Sequence, residues 1–211
     1  GAGANQAEAC RARYVEAGGC TVALLACVDL PLEGLAPLDS LPGPARATSA
    51  QMLDAVREAR RLADWVVVTV HWGSEYVAYA HPRQMDLAHQ LAAAGADVIL
   101  GHHPHVIQPI EWIEQTLVFY SLGNLVFDAN TPRSQEAILA RVHLVRGQPP
   151  AAEIRPLRIT ACAPGAALPD EAGDIAHRLQ PISPPATIEL LADGWWRVEP
   201  QRQARSDSHG P

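Results

Sequence analysis

The sequence predicts an α/β fold with parallel strands first and a mixed or antiparallel meander after them. Three features predict it. Short, nearly unbroken apolar runs, the mark of strands buried on both faces, recur through the first half of the chain. Segments with helical apolar spacing lie between them, so the order reads β-α-β-α-β. Beyond residue 106 that alternation stops and closely spaced strand-like runs take over.

Residues 21–28 are the first buried strand, and residues 30–47, with four prolines, read as a connection. Thr48-Ser49-Ala50-Gln51 has capping-box form with Thr48 as the cap, and Met52, Val56, Ala59 and Ala63 carry a helix to about residue 63. Residues 65–70 are the second buried strand and lead into His71. Pro82 suits a first helical position, Met85, Ala88 and Leu91 form an apolar stripe, and Gly95 ends that helix. Residues 97–100 are the third strand. Runs at 107–113, 117–121, 125–128, 137–145 and 154–160 predict a second sheet. A short helix over 170–180 follows, then a hairpin of 187–191 and 195–198 around Asp193-Gly194.

A chain of 211 residues that is 48% apolar can close one core, predicted here as a single domain over 1–200 with a solvated tail at 201–211. The net charge of −7 argues against nucleic acid or an anionic membrane surface as the main partner. All the basic residues are arginine, which excludes Schiff-base lysine chemistry and a Walker lysine. The four cysteines, at 10, 20, 27 and 162, include no C-x-x-C and read as small core residues. No apolar run approaches the roughly 18–20 residues that span a bilayer, and no signal-peptide pattern opens the chain.

Ligands in open α/β sheets gather beyond the carboxyl ends of the strands. Two of the three early strands end in histidine: residue 70 leads to His71, and residue 100 leads through Gly101 to His102, His103 and His105. Imidazole is the commonest metal ligand because its neutral form carries a lone pair. Three imidazoles in Gly101-His102-His103-Pro104-His105 are hard to justify as packing. Gly101 is expected to permit a tight turn off the strand, and Pro104 to stiffen the loop. Trp72, Gly73 and Glu75 follow His71, and the carboxylate of Glu75 could orient its ring. Ser121-Leu122-Gly123-Asn124 reads either as a structural turn or as a wall of the site. His81, His89, His143, His177 and His209 read as surface or structural, and Trp195-Trp196 as a packed hairpin.

Taken together, four blocks resemble the CapA family of bacterial capsule and poly-γ-glutamate synthesis proteins, within the calcineurin-like metallophosphoesterase superfamily. They are His71-Trp72-Gly73-Ser74-Glu75-Tyr76; Gln84 with Ala88-His89; residues 95–105; and residues 119–128. Gly1-Ala2-Gly3 with Asn5 and Ala7 resembles the family's mid-domain element, and residues 156–179 its closing segment. The resemblance implies a four-layer α/β/β/α sandwich with two divalent metals (Mn, Fe, Zn or Mg) between its sheets. It implies metal ligands at His71, His103 and His105, with His102 as the alternative to His103. A histidine such as His103 or His102 would stabilise charge or protonate the leaving group. Glu75, Trp72, Ser121 and Asn124 would support the site or touch substrate.

The superfamily's early metal-binding blocks, with their bridging aspartate, have no counterpart before His71, and the first residue is glycine. The chain is therefore expected to be the C-terminal part of a longer domain, binding metal weakly and inactive alone. By resemblance the intact protein is a metal-dependent phosphoesterase-type hydrolase acting on a phosphoester or envelope polymer. The alternative is a non-catalytic polymer-handling or scaffold subunit of a membrane synthetase complex.

Overall fold

The apolar runs pair as a parallel sheet whose carboxyl edge carries the histidines. The structure, a computed structural model, describes residues 1–30, 41–179 and 186–200. Elements run in the order β1 (Ala2–Gly3), α1 (Gln6–Ala9), β2 (Arg13–Ala17), β3 (Cys20–Val28), β4 (Gly43–Pro44), α2 (Ala50–Leu62), β5 (Trp65–His71), α3 (Pro82–Ala94), β6 (Val98–His102), β7 (Ile110–Ile113) and β8 (Thr116–Phe119). They continue with β9 (Glu136–His143), β10 (Ala151–Thr160), β11 (Ala163–Ala166), α4 (Pro169–Leu179), β12 (Ala186–Leu190) and β13 (Trp196–Pro200).

The first sheet has six strands in the order β2-β3-β5-β6-β8-β7. Strands β3, β5, β6 and β8 are parallel neighbours, and β2 and β7 are antiparallel edges. Strands β9 to β13 form a second sheet with antiparallel pairing throughout. Strand β8 shows how the layers meet. Val118 belongs to the core that β3 and β5 share with α2 and α3. Leu117 and Phe119 belong to the core shared with β9, β10, β12, β13 and α4. Successive residues of a strand face opposite sides, so the two cores lie on opposite faces of the first sheet. The architecture is an α/β sandwich of one mixed and one antiparallel sheet, and β1 and β4 pair separately as a two-stranded antiparallel sheet.

Several expectations change. The runs at 107–113 and 117–121, expected in the second sheet, yield β7 and β8 of the first. All four residues of β8 are buried, which requires cover on both faces and therefore a place inside the sandwich. Residues 125–128 form no strand; Leu125 and Val126 are exposed and lack a ladder partner. Helix α2 is capped by Ser49, whose side chain accepts from the Gln51 amide, rather than by Thr48. Helix α3 has a capping box that the sequence reading missed: His81 accepts from the Arg83 amide, and the Gln84 side chain accepts from the His81 amide.

Strand β2 was also missed, because all of its residues are exposed and its apolar pattern is weak. The available signal was Gly18-Gly19, both at positive φ, which closes the β2–β3 hairpin. Of the four cysteines, Cys10 and Cys27 are buried as expected, whereas Cys162 is exposed, and none forms a disulfide. No helix among the described residues is long and apolar enough to cross a membrane. The expected tail at 201–211, His209 and part of the 30–47 connection lie outside the described residues.

Candidate metal centre

Parallel pairing in register sets the site. His71, the last residue of β5, pairs with His102, the last residue of β6. Leaving the sheet side by side, the two strands send their following loops across the same edge. The loops are then tied together: the Trp72 amide donates to the His102 carbonyl at 3.1 Å, and the Tyr76 amide donates to the Pro104 carbonyl at 2.8 Å. As a result, ligand atoms of Glu75, His103 and His105 all lie within 4.8 Å of one another. The His71 ring lies against that of His103, with centroids 4.7 Å apart, and His103 and His105 are 5.7 Å apart edge to face.

The backbone under these side chains is strained. His103 has φ 99° and His105 φ 59°, with Tyr76 at 61° in the facing loop. A non-glycine residue held there costs on the order of 1–3 kcal/mol, and such residues cluster at functional sites. Tyr76 and Phe127 flank the His105 ring, at 5.9 and 4.8 Å between centroids.

Asn124 determines which nitrogen of His105 is free. Its side-chain amide donates to the Ser134 carbonyl at 2.9 Å and to the His105 carbonyl at 3.3 Å. These two acceptors turn its Oδ1 toward the His105 Nδ1, 2.8 Å away. An amide oxygen only accepts, so Nδ1 is the donor and Nε2 is the nitrogen turned away from Asn124. An outer partner of this kind orients a metal-binding imidazole. Replacing Asn124 by alanine is expected to weaken divalent-metal binding by about 10–100-fold. Calorimetric titration with Zn²⁺ checks this, and unchanged affinity would exclude the orienting role.

Burial, with the neighbouring imidazoles adding to it, lowers the pKa of His71, His102 and His103. Neutral rings with available lone pairs are the state a metal requires. The same shifts link stability to pH. The folded values lie below the unfolded value of about 6.5, so the unfolded chain binds more protons in acid. Stability is therefore full above about pH 6.5 and falls as the pH drops through the folded values. Urea denaturation of the metal-free chain at pH 7.5 and 5.5 is expected to show this loss, and a smaller loss for His103→Gln.

Each predicted site residue has a definite place. His71, His103, His105 and Glu75 come together, and Glu75 contributes a potential ligand oxygen rather than only an orienting group. His102 is half-buried at the end of β6, outside the group of three. Trp72, expected to support the site or touch substrate, is fully buried in the core and donates its Nε1–H to the Tyr120 carbonyl at 2.8 Å. Ser121 is buried, and its Oγ accepts from the Gly123 amide at 3.3 Å, which makes it part of a turn. Gly101 lies within β6 and not in a turn, so its role differs from the one expected. The sequence reading also missed Gln108. Fully buried, it receives the Gln84 amide at 2.9 Å and donates to the Val77 and Tyr79 carbonyls at 2.8 and 2.9 Å. It thereby fixes the loop that carries Glu75. The signal available was a glutamine among apolar residues directly after the histidine loop.

Fold and site together define an α/β protein with a histidine–carboxylate cluster at the carboxyl edge of a parallel sheet. A family model described as bacterial capsule synthesis protein PGA_cap matches residues 1–129, and the chain belongs to that family. The PGA biosynthesis protein CapA of Bacillus subtilis is 39% identical over 151 residues, covering 72% of this chain and 40% of that protein. The capsule biosynthesis protein CapA of Bacillus anthracis is 36% identical over 168 residues, covering 78% and 41% respectively. A probable polyglutamine synthesis accessory protein of Mycobacterium tuberculosis is 30% identical over 86 residues, covering 41% and 23%. The chain thus spans about two fifths of the length of the two Bacillus relatives.

Proposed function

We propose that this chain carries the histidine-rich part of a divalent-metal, phosphoesterase-type hydrolase site in a protein of capsule or poly-γ-glutamate production. The observation supporting it is the meeting of Glu75, His103 and His105 within 4.8 Å, with His71 against His103. Imidazole and carboxylate donors without a thiolate suit Mn, Fe, Zn or Mg rather than a soft metal. A cation held there would neutralise charge on phosphoryl oxygens and lower the pKa of water. The chain's own residues do the rest. Burial favours the neutral ring of His103, and Asn124 orients the ring of His105 through its Nδ1. Glu75 adds negative charge at the exposed mouth. His71, its ring tilted against that of His103, adds a third imidazole at the sheet edge.

A second reading, a polymer-handling subunit without turnover, is favoured by the word accessory in the name of the Mycobacterium tuberculosis relative. Two measurements separate them: calorimetric titration of the chain with Mn²⁺ or Zn²⁺, and hydrolysis of a chromogenic phosphodiester by the gene's full-length product. Uptake with hydrolysis supports the first reading. Uptake without hydrolysis favours the second, and no uptake at all would sink the metal site.

A further inference from the structure

A cavity of about 470 Å³, within the size range of small-molecule sites, is lined in part by residues that follow the histidine and Glu75 loops in the chain. Val106, Ile175 and Leu179 give it an apolar floor, and Arg133 and Arg178 stand among its lining residues. None of the metal cluster's own residues lines the cavity, but some of its lining residues belong to the segments that carry them. Val106 directly follows His105, and Tyr79 closes the loop that carries Glu75. The Gln108 bonds to Val77 and Tyr79 hold those segments in place. An occupant of the cavity would therefore rest on residues that continue the His105 and Glu75 segments.

The charge there runs against that of the chain. Net charge is −7, yet the cavity's arginines outnumber its one carboxylate, Glu136. Glu136 is already engaged by Arg178 at 2.5 Å and by Arg158 at 3.8 Å. Arg133 is exposed and makes no ion pair with any described residue. An exposed guanidinium, unpaired among the described residues and next to an apolar floor, fits a ligand that carries carboxylates on aliphatic stems. A glutamate repeat has that chemistry: two methylenes for the floor and a carboxylate for the arginine. A polyphosphate matches the charge and has nothing to place on Val106, Ile175 and Leu179.

We propose that this cavity seats a segment of a polyglutamate chain, with carboxylate on Arg133 and methylenes on the apolar floor. The inference rests on the reading that the protein handles a capsule polymer, and it does not require the metal. The test is titration of the 211-residue chain with a γ-linked glutamate oligomer, read by calorimetry beside a polyphosphate of equal charge. The glutamate oligomer is expected to bind more tightly than the polyphosphate. Arg133→Glu is expected to weaken its binding at least tenfold, while Arg133→Lys retains most of it. Zn²⁺ uptake, measured on the same variants, should not change, and His105→Ala should lose Zn²⁺ but keep the oligomer. This separates failure of the cavity from failure of the metal site. Because Arg133 is exposed, its variants should fold, which circular dichroism verifies. No oligomer binding, equal binding by Arg133→Glu, or polyphosphate binding as tight as the oligomer's would overturn the proposal.

Discussion

Replacing His105 by alanine is expected to lower divalent-metal affinity by more than about 100-fold, beyond the effect of losing a supporting residue. His105 is the imidazole whose ring the structure orients, through Asn124, with Nε2 turned away from it. Its ring also stands within 4.8 Å of the donor atoms of both Glu75 and His103, so its removal breaks the group of three. Loss of fold is a separable outcome. The residue is half-buried in a loop, and the core beneath it is built by other residues. Far-ultraviolet circular dichroism should therefore match the parent. His89→Ala, at an exposed position on α3, serves as the control and should bind metal normally. Equal Zn²⁺ affinity in His105→Ala and parent would show that the histidines do not form a metal site.

The second large effect is structural. Gly101→Ala is expected to cost about 3 kcal/mol or more, the upper end for overpacking a core, or to prevent folding. A Cβ at this position would stand 2.0 Å from the Tyr120 carbonyl oxygen and 2.5 Å from the Trp72 Nε1. Neither atom can rotate away. One is backbone of the segment that follows β8, and the other is locked by its bond to that same carbonyl. Relief requires β6 to separate from that segment, which would also shift His102 and the loop behind it. Urea denaturation measures the loss. A variant as stable as the parent would show that the close approach of these segments is not needed.

The sequence made the parallel part of the fold legible. Apolar runs at β3, β5 and β6 read as strands, and the helical stripes between them cover one face; the other face of β3 is less covered than expected, with Leu24 exposed. It also made the convergence of His71 with the 101–105 loop legible, since parallel strands place their carboxyl ends on one edge. The second half was harder to read. Strand β8 carries the same apolar signal as a strand of the second sheet would, and only its pairing with β6 assigns it to the first. The 125–128 run is apolar enough for a strand but has no neighbour to complete its hydrogen bonds.

At the site, the sequence by itself determined which residue types are present and that two strand ends deliver them. The tertiary structure decided the rest. It placed His103, not His102, in the group with Glu75, because the chain turns through φ 99° after β6 and swings the next imidazole across the edge. It buried Trp72 and assigned Asn124 to His105 through hydrogen bonds between residues 19 positions apart. Gly101, which reads as a turn residue, proved to be a contact residue. The physical reason is common to these cases. Periodicity reports which face of an element is buried, whereas a tautomer, a close approach or a ligand set depends on atoms that only folding brings together.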